Sequence, residues 1–174
     1  MTQLRIVAGK YPRTGKGVVL SSTGDVVVGS YLFTGCSFAN LEYGCYIIDN
    51  PQGVAFSTCG FIDSTVGIGV GGPIGSQLEG LQASNCNFAC DMHNIYVGTA
   101  VADLLLINNL FITNNPTKNP NRRVCGADSI FITTGYRVSI MGNSFYGTNT
   151  GSEAINIKDG WKHNIESNVI NIVS

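Results

Sequence analysis

Charge is what this chain most lacks. Asp, Glu, Lys and Arg make up 12% of its 174 residues and the formal net charge is −1, where a typical soluble domain carries about 25% charged residues. Ten cations against eleven carboxylates exclude the basic footprint of a nucleic-acid binder. The one basic cluster, Arg122-Arg123 with Lys118 nearby, is too small to make one. Lys, Glu and Ala, which fill exposed helix faces, are scarce, and no segment of helix length carries a helical hydrophobic period. Long apolar runs are missing too. The opening MTQLRIVAGKYPRTG has no signal-peptide core, and no stretch reaches the length of a membrane span. The chain is therefore expected to be made in the cytoplasm without membrane contact, and to leave a cell only by another route, such as carriage on a virus particle. No N-glycosylation acceptor occurs, because Asn115-Pro116-Thr117 has the forbidden proline.

What is present is glycine (22 residues), asparagine, 44% hydrophobic residues and six cysteines. That balance favours strands and turns over helices. One short pattern recurs: Cys or Asn, any residue, then Phe. It reads Cys36-Ser37-Phe38, Cys59-Gly60-Phe61, Cys86-Asn87-Phe88, Asn109-Leu110-Phe111 and Asn143-Ser144-Phe145, with the variant Asn168-Val169-Ile170. The last residues of successive triplets lie 23, 27, 23, 34 and 25 residues apart, as loops of varying length inside a fixed coil would give. Seven and five residues before each lie Tyr31 and Phe33, Val54 and Phe56, Leu81 and Ala83, Leu104 and Leu106, Val138 and Ile140, His163 and Ile165. Alternate residues share one face of a strand, so these pairs are expected to point inward. A further strand follows each triplet: Tyr46-Ile47-Ile48, Ile68-Gly69-Val70, Ile95-Tyr96-Val97, Ile130-Phe131-Ile132 and Ile155-Asn156-Ile157. Strands of like pattern bury their apolar faces only by stacking on one another.

The expected fold is all-β: a right-handed, single-stranded parallel β-helix of about six coils over residues 26–174, with residues 1–25 as a lead-in and cap. In such a stack, equivalent side chains form columns. Asn109, Asn143 and Asn168 are expected to make an inward amide ladder, with Cys36, Cys59 and Cys86 in the same slot as buried packing thiols. The stacking distance exceeds the Cβ separation of about 3.8 Å that a disulfide prefers, and a linear column cannot wrap a tetrahedral ion. Free thiols are expected, with no metal and no cofactor. Cys45, Cys90 and Cys125 fall in no common register.

The strings VSIMGNSFYG, LLLINNLFITNN and HNIESNVINI resemble coils of the pectate-lyase-like right-handed β-helix superfamily. The resemblance implies the fold. It also raises polysaccharide lyases and hydrolases, and the tailspikes of bacteriophages, which are usually homotrimers. Low charge, abundant Gly and Asn, and the missing signal peptide most resemble the phage members.

Three readings of function follow. The first is a homotrimeric virion component (a tailspike, fibre or capsid-decoration module) in possible contact with bacterial surface polysaccharide. The second is a polysaccharide-degrading hydrolase or lyase. The third is a carbohydrate-binding module without catalysis. An enzyme here would use Glu42, Asp63 and Asp91, with His93 nearby. They follow the aromatics of consecutive coils, and glycoside hydrolysis needs two carboxylates at defined separation. Solvated turn residues are the plainer account of them. Arg122 and Arg123, in the long insertion between Thr113 and Ser129, are candidates for contact with an acidic sugar or a partner carboxylate. Ile47, Tyr96 and Phe131 are expected to point outward as a stripe, either a subunit interface or a platform for sugar rings, with the interface favoured.

Overall fold

A computed structural model describes residues 5–7, 14–21, 30–49, 51–72, 77–113, 128–147 and 153–172. Within them lie 19 β-strands and no helix, and every strand pair is parallel. The chain is a parallel β-solenoid. Each coil contributes three strands, and each strand pairs with its equivalent one coil away.

The first strands are Tyr31–Thr34, Gln52–Ser57, Gln77–Ser84, Leu105–Ile107, Ser139–Met141 and Asn164–Glu166. The second strands form a 7-stranded sheet of Arg5–Val7, Ser37–Ala39, Gly60–Ile62, Asn87–Cys90, Leu110–Thr113, Ser144–Gly147 and Val169–Ile172. The third strands are Lys16–Ser21, Tyr43–Ile48, Val66–Gly71, His93–Ala102, Ile130–Tyr136 and Ile155–Trp161. Two of these strands lie before residue 26. Arg5–Val7 pairs with Ser37–Ala39, and Lys16–Ser21 with Tyr43–Ile48. The segment expected as a lead-in and cap thus adds a strand to the second-strand sheet and one to the row of third strands.

The second strands carry the central aromatic column. Ile6, Phe38, Phe61, Phe88, Phe111, Phe145 and Ile170 are register partners in turn. The five phenylalanines are at most 1% exposed. Their ring centroids stand 4.9, 4.8, 4.9 and 4.9 Å apart, with planes within 19° of parallel. That spacing is the strand separation; each ring pair adds about 0.5–1.5 kcal/mol beyond its burial. The first strands supply the facing wall: Phe33, Phe56, Ala83, Leu106, Ile140 and Ile165 stand in one column. All but Ile165, on the last coil, are buried.

The third strands add an inward column of small residues: Gly17, Gly44, Gly67, Asn94, Ser129 and Ala154. Phenylalanine rings on one side and the backbone of the next coil on the other leave the three glycines no room for a side chain. A Cβ on Gly44 would sit 2.6 Å from Phe61 Cδ1, and one on Gly67 would sit 2.5 Å from the Asn94 carbonyl. Where Asn94 does carry a side chain, it is fully bonded. Its Oδ1 accepts from Cys90 N (3.0 Å) and its Nδ2 donates to Ser129 Oγ (2.8 Å).

Left-handed backbone recurs at the corners. Between first and second strands stand Gly35, Thr58, Asn85, Asn108, Gly142 and Ser167, with φ from 52° to 64°. At the entry to the first strands stand Gly53 and Gly80, just inside their strands, and Asp103, Arg137 and Lys162, just before theirs, with φ from 55° to 76°. Glycine and asparagine suit such positions; a β-branched residue such as Thr58 does not. Asp103 and Arg137 are neighbours in this column and form a bidentate pair at 2.6 and 2.8 Å.

The ladder slot follows the first of these corners. Asn143 Oδ1 accepts from Asn109 N (2.9 Å) and Nδ2 (3.0 Å), and Asn168 Oδ1 accepts likewise from Asn143 (2.9 and 3.0 Å). Each amide also donates one coil down, to Ala83 O (2.9 Å), Leu106 O (3.0 Å) and Ile140 O (2.8 Å). Cys86 N donates to Asn109 Oδ1 at 2.9 Å, and there the ladder passes to sulfur. Cys86 Sγ accepts from Cys59 N (3.4 Å), and Cys59 Sγ donates to Phe33 O (3.5 Å). The thiols make the same two kinds of bond as the amides, at longer range. Cys36, Cys45, Cys59, Cys86 and Cys90 are all free and buried; Cys125 lies outside the described residues. Burial pushes the Cys45 thiol up, and contact with Cys59 together with burial pushes Cys86 up.

Candidate functional site

The outward side of the third strands gathers aromatic and charged side chains, with the rings half-buried against one another. Its register corrects one expectation. Gly69 pairs with Tyr46 and Tyr96, Tyr96 with Phe131, and Phe131 with Asn156. Ile47 pairs with Leu20 and Val70 and is 0% exposed. Ile47 is therefore a core residue, and Tyr46 takes the outward place. The equivalent triplet is Cys45-Tyr46-Ile47, with Cys45 and Ile47 inward, one residue earlier than the apolar run suggested, and a one-residue slip exchanges the faces.

The outward stripe runs Tyr46, Gly69, Tyr96, Phe131, Asn156. A second outward column beside it holds Lys16, Tyr43, Val66 and His93. Tyr43 and Tyr46 lie 4.7 Å apart with rings tilted by 45°. Lys16 Nζ stands 4.7 Å from the Tyr46 centroid and 6.0 Å from that of Tyr43, within range of a cation–π contact. The glycines of the next coil are sockets for these rings. A Cβ on Gly69 would lie 2.5 Å from Tyr43 Cδ1, and one on Gly71 would lie 2.5 Å from Tyr46 Oη. Burial, and then the charge of Glu42, raise the Tyr43 phenol above its ordinary range.

Further along, Tyr96 and Phe131 stack at 5.6 Å and 13°, and Lys158 Nζ stands 5.9 Å from the Phe131 centroid. His93 packs against both rings, at 5.1 and 5.8 Å. Its Nδ1 lies 2.6 Å from the Asp128 carbonyl. A carbonyl only accepts, so Nδ1 carries the proton and donates. Burial holds the imidazole below its ordinary pKa, against the opposing pull of Asp128. The Asp128 carboxylate is itself held, by Glu153 N (2.8 Å) and Asn156 Nδ2 (2.6 Å). Tyr96, Phe131 and His93 thus come together. Lys16, Tyr43, Asp128 and Lys158 complete the face, and sequence reasoning missed them. The available signal was their register with residues already singled out.

The three acidic candidates are not stacked on one another. Register puts Glu42 in a column with Thr65 and Met92, Asp63 in a column with Asn40 and Cys90, and Asp91 in a column with Ser64 and Leu41. The three carboxylates follow the phenylalanines of their coils by four, two and three residues, and because the turn has the same length in these three coils, each offset is a different place in space. Arg122 and Arg123 lie outside the described residues. Among the described residues no group of three His, Cys, Asp or Glu side chains is placed to hold a metal ion, and no helix is long and apolar enough to cross a membrane.

A second outward stripe lies on the second strands: Ala39, Ile62, Ala89, Ile112 and Tyr146. Ile62 and Tyr146 are among its more exposed members. Compared with protein-family models, with curated proteins and with solved structures, the chain matches none.

Proposed function

We propose that this chain is a structural component of a phage-like virion, a spike, fibre or decoration module, that assembles as a homotrimer through the outward face of its third strands. The observation that carries the assembly is the packing of the aromatic rings on that face. Tyr96 and Phe131 lie nearly parallel against each other, so each ring closes one face of the other to a ligand. A sugar platform needs open ring faces, while ring edges and flanking cations suit close packing against protein. Three such faces around a threefold axis would cover the stripes of all three chains. The virion context is supported by the resemblance of the coil strings to phage β-helices. The polysaccharide-degrading alternative needs a carboxylate pair at defined separation; Glu42, Asp63 and Asp91 stand in three adjacent columns rather than stacked in one.

Sedimentation equilibrium at micromolar concentration tests the assembly. The expected mass is three times the 18.5 kDa of the chain. Replacing Tyr96 and Phe131 together by Ser should return the monomer mass without unfolding, because neither ring is in the core. A parent protein that sediments as a monomer would overturn the reading.

A further inference from the structure

The thiol half of the ladder lines up three sulfurs. Cys36, Cys59 and Cys86 occupy one slot on three successive coils, all buried and unbridged. Each sulfur lies against the carbonyl two residues before it: Cys36 on Thr34 O at 3.5 Å, Cys59 on Ser57 O at 3.4 Å, Cys86 on Ser84 O at 3.3 Å. The three side chains therefore point the same way, on backbones held in register by the strands on either side. Their sulfurs repeat at the coil spacing of about 4.8 Å.

A tetrahedral ion needs four donors around it, which a column does not give. A linear ion needs only two, on opposite sides. Soft closed-shell cations, Cu(I) foremost, select thiolate sulfur and accept two of them in a line. With a metal–sulfur bond of about 2.3 Å, the length zinc thiolates show, two collinear bonds span about 4.6 Å. The rise of one coil and the span of a linear dithiolate nearly coincide. The polar atoms beside the sulfurs are carbonyl oxygens such as Phe33 O and Ser57 O, hard donors that a soft cation leaves alone.

Of the two neighbouring pairs, Cys59 and Cys86 are the better prepared. Cys59 N already donates to Cys86 Sγ at 3.4 Å, and a thiolate accepts that bond more strongly than a thiol. Hydrogen bonding from Cys86 pulls the Cys59 thiol below its ordinary range, and the thiolate is the form that binds metal. Each lies one residue inside an exposed corner, at Thr58 and at Asn85, so local opening of a corner admits an ion.

We infer that Cys59 and Cys86 form a linear, two-coordinate site for a soft monovalent cation of the Cu(I) class, held between adjacent coils. On binding, both thiols lose their protons to solvent and two metal–sulfur bonds form, with no change of oxidation state. The bound ion carries one net negative charge with its two thiolates, and the Cys59 N–H faces it. The site lies inside the coil stack and shares no residue with the outward aromatic face, so either proposal can fail alone.

The test titrates the full, reduced chain, isotope-labelled at the cysteine Cβ atoms, with Ag(I) as a redox-inert stand-in for Cu(I). The first equivalent is expected to shift the Cys59 and Cys86 signals together and to leave those of Cys36, Cys45, Cys90 and Cys125 in place. X-ray absorption at the silver edge should show two sulfur neighbours and no third. Zn(II) at the same concentration should leave the spectrum unchanged. Cys59→Ser should weaken the first binding event about a hundredfold, as the loss of one of two linked donors does. Should that variant fail to fold, the labelled parent still decides. Silver spread evenly over the thiols, three or four sulfur neighbours, or no binding to the folded chain overturns the inference. So does an affinity that survives Cys59→Ser.

Discussion

The two halves of the ladder solve one problem with different atoms. From Asn109 onward the corner is closed by amides bonded at 2.8–3.0 Å. Before it, Cys59 and Cys86 make the corresponding bonds at 3.4–3.5 Å. The backbone is the same in both halves, with φ at the preceding corner residue between 52° and 64° throughout. The coil therefore does not require asparagine. It requires a short side chain that accepts from the N–H of the coil below and donates to a carbonyl there. Sulfur does both weakly, and it gains from being at home in an apolar core.

The halves should then respond differently to the same change. Asn143→Ala strands two donors on Asn109 and removes donation to Leu106 O; unfolding in urea should show a loss of about 4 kcal/mol. Cys86→Ala removes weaker bonds and a smaller volume, and a loss of about 1.5 kcal/mol is expected in the same experiment. If the two losses are equal, the distinction between amide and thiol ladders is wrong. Thr58 sits in the left-handed corner of the cysteine half, where Thr58→Gly should raise stability by about 1 kcal/mol. Cys86→Asn extends the amide ladder by one coil, and stability within about 1 kcal/mol of the parent, on the higher side, is expected. A loss above about 2 kcal/mol would show that the lower coils are too tightly packed for an amide.

The smallest effect concerns His93, in the coil where the two ladders meet. Its folded pKa lies below its ordinary value because it is buried. The unfolded chain therefore binds the proton first. Stability should be full above about pH 6.5 and fall as the pH drops through that value toward the lower folded pKa. The dependence should vanish in His93→Gln; a slope that persists in this variant assigns it to another group.

Much of this solenoid was legible in the sequence because its columns are chemically pure. Five phenylalanines at near-constant intervals, each preceded by Cys or Asn, fix the second strand and the ladder together. The third strand was harder. Tyr46-Ile47-Ile48 is apolar throughout, so alternation alone does not say which residue faces in. Gly44 and Gly67 held the answer, since both lie under phenylalanine rings where no Cβ fits; aligning Tyr43-Gly44-Cys45 with Val66-Gly67-Ile68 sets the register. The acidic residues misled because they follow their phenylalanines at different distances, four, two and three residues, and in turns of equal length each such distance is a different column. Lys16, Asp128 and Lys158 were invisible because nothing in their local sequence marks them. They matter only through the coil stacked beside them.

Ring-to-ring NOEs in protein labelled only at phenylalanine test the stacking most directly. The account predicts one unbroken series, Phe38 to Phe61 to Phe88 to Phe111 to Phe145, each ring seeing its neighbours in that order. Contacts that skip a member of the series, or strand amide patterns of antiparallel pairing between these segments, would contradict it.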